Sequence, residues 1–174
     1  MFNNIQAACP QSGIENADVL YEAPVEGSIT RLMAIIEDYD NIPRIGSVRS
    51  CRDYFLFYAN EYDAIYSHYG QAVYALQYLD QHLIDNLNGL TLGNAYYRST
   101  DRVAPHNAYT SWNGIMDSVA KKGYDTVYPQ DFVKPFIFNA EDDKQVQIAG
   151  GETCNTFYPG YPYNKPWFEY DEST

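Results

Sequence analysis

The first two-thirds of this chain lack lysine altogether: none precedes Lys121, and all six arginines lie between Arg31 and Arg102. Every fixed positive charge there is a guanidinium, the group suited to forked recognition of carboxylate or phosphate. Positive charge is scarce overall, with a net charge of −12. That balance excludes nucleic acid and anionic lipid as broad electrostatic partners, because such proteins carry a basic footprint. Cysteine is also sparse. Cys9, Cys51 and Cys154 form no CxxC or Cys/His pattern, so neither a disulfide framework nor a zinc site is indicated. No stretch approaches the roughly 18 apolar residues of a membrane span, and Met1-Phe2-Asn3-Asn4 is not the start of a signal peptide. A nucleophile elbow, a phosphate loop, an HExxH pair and a dinucleotide fingerprint are all missing. Neither a cofactor nor a metal is therefore expected.

What is present is enough for one ordinary domain: 174 residues, 45% of them hydrophobic. The 18 tyrosines suit surfaces that stack on sugars or cover proteins, and suit a half-buried core equally. Asp18–Ala23 and Ile29–Ile36 read as strands joined by a hairpin turn at Pro24-Val25-Glu26-Gly27. The apolar run from Leu32 to Ile36 fits a strand covered on both faces. Tyr54, Phe55, Tyr58 and Tyr62 recur at helical spacing, and Ala64–Tyr69 reads as the next strand, broken at Gly70. Ala72, Leu76, Leu79 and Leu83 mark one face of a second helix, and Asn86-Leu87-Asn88-Gly89 reads as a turn. A third helix carries Trp112, Ile115, Met116 and Val119 inward, with Thr110 or Ser111 as cap, Lys121 and Lys122 at its negative end and Gly123 as terminator.

Strand and helix in alternation predict an α/β layered sandwich, a central mixed sheet flanked by helices, over residues 1–128. Residues 129–174 read as a Pro/aromatic-rich extension, the start of a β-rich second domain. Only short strands such as Phe136-Ile137-Phe138 and Trp167–Tyr170 fit there, beside the acidic run Glu141-Asp142-Asp143. Patterning is confined to the first part, so the tail beyond about 140 is expected to be loosely held.

Chemistry concentrates in Tyr97–Ser111, where Arg98, Arg102, His106 and Asn107 fall close together. Pro105 stiffens the approach to His106, and Asn107 can bond backbone or ligand. The same loop serves structure alone if its arginines bind backbone carbonyls. Arg49 and Arg52 stand just before the first helix, where free N–H groups attract anions; alternatively Ser50 caps that helix while the arginines pair with surface acids. His68 ends a predicted strand, at the edge where α/β sheets usually bind ligands, or is a satisfied half-buried histidine. His82, among Asp80, Gln81 and Asp85, reads as solvated. Glu22 and Glu26 flank the hairpin turn as a possible carboxylate pair, with a salt bridge to Arg31 the plainer use.

The segments Pro10-Gln11-Ser12-Gly13, Ala17–Gly27, Ile29–Ala34, Ile45–Ser50 and Arg102–Ser111, in that order, resemble the YerB-like lipoproteins. The resemblance spans about residues 1–120. It implies an extracytoplasmic protein tethered to the membrane by lipid, with an N-terminal α/β domain of unknown function and a smaller β-rich domain after it. Met1–Asn4 is then similar to the end of that family's first strand, and the residues after Trp167 to the start of its second domain. Cys9 follows no apolar segment and is not read as a lipid carrier. Two functions remain open. One is a binding or scaffold domain whose Arg49, Arg52, Arg98, Arg102, His68 and His106 converge on an anionic group of a cell-wall polymer, peptide or envelope protein. The other is a hydrolase of a phosphoester or cell-wall bond with His106 or His68 as general base.

Overall fold

The structure, a computed structural model, describes residues 1–138 and 150–171; the run Glu141–Asp143 lies outside them. The strands are β1 (Phe2–Asn3), β2 (Val19–Pro24), β3 (Thr30–Ile35), β4 (Ile45–Gly46), β5 (Tyr66–His68), β6 (Asn86–Asn88), β7 (Tyr97–Arg98), β8 (Ala108–Thr110), β9 (Thr156–Phe157) and β10 (Phe168–Glu169). The helices are α1 (Asp53–Asn60), α2 (Val73–Asp80) and α3 (Trp112–Lys122). The fold is α/β, as the alternation of patterns predicts. Its strands are grouped in short sheets, β1-β3-β2, β4-β8-β7, the parallel pair β5-β6, and β10-β9. Single bridges such as Phe2↔Val48 and Ser12↔Gly46 stitch neighbouring pieces together.

β3 is the axis. It pairs antiparallel with β2 from Val19↔Ile35 to Pro24↔Thr30, and with β1 at Phe2↔Leu32 and Asn3↔Arg31. Alternation then sends Met33 and Ile35 into one apolar cluster with Phe55, Leu56 and Tyr66, and Leu32 into another with Phe2, Ile42 and Ile45. A strand covered on both faces reads as an unbroken apolar run, which is what Leu32–Ile36 shows.

Helix ends follow their chemistry in one case and not in another. Ser111 caps α3 by accepting a hydrogen bond from the Gly114 N–H, and Gly123 closes it with φ of 71°. Gly114 itself lets α3 approach the loop before β7: a Cβ there would stand 2.4 Å from the Ala95 carbonyl oxygen. For α1 the expected Ser50 cap is absent. Arg52 is the N-cap, without a side-chain bond, and the Ser50 hydroxyl instead donates to the Tyr69 carbonyl.

Three local expectations are corrected. Asn86–Asn88 is a strand and not a turn, because it pairs with β5 and its asparagines spend their side chains on that neighbouring segment: Asn88 Oδ1 accepts from the Gly70 N–H, and Asn86 Oδ1 faces His68. In α2 the inward face carries the fully buried Ala75 with Tyr78 and Leu79, and Leu76 is exposed. Phe136-Ile137-Phe138 forms no strand, and Ile137 is almost fully exposed. The tail is tied back to the first strands through Tyr161 and Asn164. The Tyr161 hydroxyl donates to the Glu22 carbonyl at 3.1 Å, and the Asn164 amide donates to the Asn4 carbonyl.

Candidate functional site

Arg31 is the residue around which the basic surface is built. Pairing with Asn3 and Ala23 holds it in mid-sheet, on the face where Met33 and Ile35 enter the core, and it is 3% exposed. Its Nη1 donates to the Ser50 carbonyl at 2.6 Å, while its Nε is buried with no partner. Burial, aided by Arg52 and Arg49 nearby, lowers its pKa to about 10. Among the described residues no carboxylate forms an ion pair with it. The expected Glu26–Arg31 bridge is therefore not made.

Glu26 goes to Arg52 instead. The carboxylate accepts from Nε at 2.9 Å and also from Nη2, and this contact holds the carboxyl below its usual range. Glu22 cannot form a carboxylate pair with it, because register places Glu22 opposite Leu32, on the other face of the hairpin. There it accepts from Thr30 Oγ1 and from the Asn4 amide at 3.0 Å.

Arg49 extends the surface toward the Pro105 loop. Its Nη1 donates to the Pro105 carbonyl at 3.1 Å, and its Nε is buried without a partner. Burial lowers its pKa, and the nearby guanidiniums of Arg52 and Arg98 add to the effect. His106 sits beside it, half-buried, with Nδ1 accepting from the Asn3 amide at 2.8 Å. That bond leaves the ring proton on Nε2. Burial lowers the His106 pKa, and Arg49 lowers it further. Arg98 donates to Asn107 Oδ1 at 2.8 Å and lies over the Tyr69 ring, 4.8 Å from its centroid.

Arg31, Arg49, Arg52, Arg98 and His106 thus form one electrostatically coupled patch. Glu26 and Asn107 join it through Arg52 and Arg98, and the remaining candidates do not. His68 is fully buried, its Nδ1 donating to the Gly70 carbonyl at 2.7 Å and its Nε2 facing the Asn86 amide at 3.3 Å. Burial depresses its pKa, so it is a neutral core residue and not a surface base. Arg102 reaches the Pro10 carbonyl at 2.7 Å. Arg44 pairs with Asp101 at 2.9 Å and stacks on Tyr109 at 3.8 Å. His82 is exposed, as its sequence setting predicts. Asn3 and Tyr69, which sequence reasoning did not single out, complete the patch.

Cys51 is not a reactive thiol, since burial pushes it up to about 11. No group of three or more His, Cys, Asp or Glu that could hold a metal occurs among the described residues.

These features define an α/β domain with an open, arginine-lined surface patch. The chain belongs to the family described as "Protein of unknown function (DUF3048) N-terminal domain", whose profile matches residues 1–125. It is 34% identical over 171 residues to a protein named "Putative lipoprotein YerB" from Bacillus subtilis (strain 168), a match that takes in 94% of this chain and 50% of the relative. The crystal structure of YerB protein from Bacillus subtilis superposes with a TM-score of 0.69 at 38% identity, covering 72% of this chain and 43% of that one. The chain thus spans about half the length of that relative. No helix among the described residues is long and apolar enough to cross a membrane.

Proposed function

We propose that this domain is an extracytoplasmic binding module, carried by a lipid-anchored envelope protein, that recognises an anionic group of a cell-wall polymer or peptide. One observation carries the reading: Arg31 is 97% buried beside Arg49 and Arg52 without a carboxylate of its own. A lone buried guanidinium is costly to keep, and the cost is offset when an anion arrives. Arg49, with an unpartnered Nε, and the exposed Arg98 supply further donors at the rim. His106, held neutral, offers an Nε2 hydrogen-bond donor. The lipid tether is supported by the name of the relative, and the choice of a wall-derived ligand by the compartment that name implies.

Titration calorimetry with inorganic phosphate, glycerol phosphate and an acetylated tripeptide ending in a free carboxylate tests this. One of the three is expected to bind, and Arg49→Ala to weaken it about tenfold or more, the scale of a lost charge-assisted hydrogen bond. Equal binding by parent and variant would remove the patch from consideration. The same samples incubated with p-nitrophenyl phosphate address hydrolysis with His106 as general base. Turnover lost in His106→Ala would replace binding by catalysis.

A further inference from the structure

Within the patch, Arg52 is a fixed cation that carries a movable anion. Its Nη1 donates to the Ser50 carbonyl at 3.3 Å and to the Cys51 carbonyl at 2.9 Å, and its side chain is only 13% exposed. The Ser50 carbonyl also accepts from Nη1 of Arg31 at 2.6 Å, so one oxygen ties both guanidiniums in place. Glu26 covers the other edge of Arg52. Its two oxygens accept from Nε at 2.9 and 3.1 Å, and Oε2 accepts from Nη2 as well. That is the two-pronged seat of a carboxylate on a guanidinium. The Glu26 side chain is nevertheless 68% exposed, and water screens a pair with so exposed a member, so the anion is lightly held.

Glu26 hangs from the tip of the turn between β2 and β3. The Val25 N–H closes that turn on the Ile29 carbonyl at 2.8 Å, and Gly27, at φ of 75°, has open space where a Cβ would stand. The carboxylate can therefore leave Arg52 without disturbing the strands. The edge it covers is the one an incoming anion needs. Arg31 spends Nη1 on Ser50 and has its Nε buried, and Arg49 spends Nη1 on Pro105 and likewise buries its Nε. Among Arg31, Arg49, Arg52 and Arg98, the ion pair of Arg52 with Glu26 is the one that occurs among the described residues. A second carboxylate brought to this group adds negative charge where positive charge is in excess.

We propose that Glu26 is a tethered stand-in for the ligand: the anionic group that the patch takes is the C-terminal carboxylate of a peptide, which binds by replacing Glu26 on the Nε/Nη2 edge of Arg52. This deepens, and rests on, the reading of the patch as an anion-binding site. The resident group shows what the edge fits, a planar two-oxygen anion, whereas a phosphate presents a tetrahedral one. Beside that edge stand further donors, the His106 Nε2 and the guanidiniums of Arg49 and Arg98. Donors of this kind suit the carbonyl oxygens that precede a peptide's terminal carboxylate. Occupancy of the edge by Glu26 lowers the apparent affinity of the free protein, since only the fraction with Glu26 away is competent to bind.

The test uses the whole chain with acetyl-trialanine, its carboxamide, glucuronate and inorganic phosphate. Acetyl-trialanine is expected to bind most tightly and its carboxamide not to bind. Glu26→Gln is expected to raise the affinity for acetyl-trialanine about threefold or more, the scale of freeing an edge held by a screened ion pair. Asp53→Asn removes the same charge one residue from Arg52 without touching that edge, and is expected to change affinity less than about twofold. In the parent, the carboxyl carbon resonance of Glu26 at pH 7 is expected to move toward that of a solvated glutamate as acetyl-trialanine is added. Equal gains in the two variants, or a resonance that stays in place while the tripeptide binds, overturn the displacement. Phosphate bound more tightly than acetyl-trialanine overturns the carboxylate, and glucuronate bound as tightly overturns the peptide. In each of these cases the patch still binds an anion, whereas binding of no anion by either the parent or Glu26→Gln overturns the reading of the patch itself, and this proposal with it.

Discussion

Arg31→Met is expected to weaken anion binding about a hundredfold while leaving the free protein as stable as the parent or more so. The side chain is 3% exposed, keeps one hydrogen bond, to the Ser50 carbonyl at 2.6 Å, and has an unpartnered Nε. Exchanging a buried ion for an apolar side chain of similar length is often neutral or stabilising, by about 1–4 kcal/mol. Against that stands the lost bond to Ser50, roughly 1.5–3 kcal/mol for a charged donor. The two terms nearly cancel, so the urea midpoint should move little, or upward. Binding behaves differently. The methionine removes the most desolvated charge of the patch, and a loss of about a hundredfold in affinity is expected, ~2.7 kcal/mol. A fall in stability of more than about 2 kcal/mol with affinity kept would make Arg31 a structural strut for the β3–Ser50 contact.

His68→Ala is expected to do the reverse, costing stability on the order of 3 kcal/mol and leaving anion affinity unchanged. The ring is fully buried at the end of β5 and both its nitrogens face polar groups, the Gly70 carbonyl and the Asn86 amide. Truncation opens a cavity and strands those two groups, and each effect is worth about 1–3 kcal/mol. The pH dependence has a definite sign. Burial lowers the folded pKa of His68 below its ordinary 6.5, so the unfolded chain binds the proton more readily. Stability is full above about 6.5 and falls as the pH drops toward the lowered folded value. His106, lowered by burial and by Arg49, contributes in the same direction. Urea midpoints between pH 5 and 8 should rise with pH in the parent and less steeply in His68→Ala. A midpoint that rises as steeply in the variant would mean that other groups set the slope.

The order of elements was legible because each rests on local chemistry. The hairpin around Glu26 and Gly27, the inward Val119 of α3 and the Ser111 and Gly123 ends follow from spacing and capping, whereas Trp112, Ile115 and Met116 are only half-buried and Gly114 and Ser118 take the buried positions. The strand Asn86–Asn88 was not legible, because asparagine ordinarily signals a turn; it is excused here by side-chain bonds to a neighbouring strand. The site was half legible. Two groups of arginines stood out, and Arg49, Arg98 and His106 do meet, but His68 and Arg102 differ from them only in where their side chains end, which tertiary packing decides. Arg31 was masked by Glu26, a nearer acid in sequence that pairs with Arg52 in space. The available signal was a charge interrupting an otherwise apolar strand, Thr30-Arg31-Leu32-Met33.

The loop from Ser99 to Asn107 is fastened along its length. Ser99 N–H meets the Asn107 carbonyl at 2.8 Å, Asp101 is held by Arg44, Arg102 by Pro10, and the Pro105 carbonyl by Arg49. A ligand arriving at such a loop does not have to order it, so capture should be governed by encounter. Encounter occurs in the field of a molecule of charge −12, which repels an anion that comes within about one Debye length of its surface, ~10 Å at 0.1 M salt. Added salt should then speed association by screening the repulsion of the whole molecule and speed dissociation by weakening the local grip of the arginines. Stopped-flow rates measured across ionic strength would show both rising together, whereas a patch on a basic protein would slow its association as salt is added.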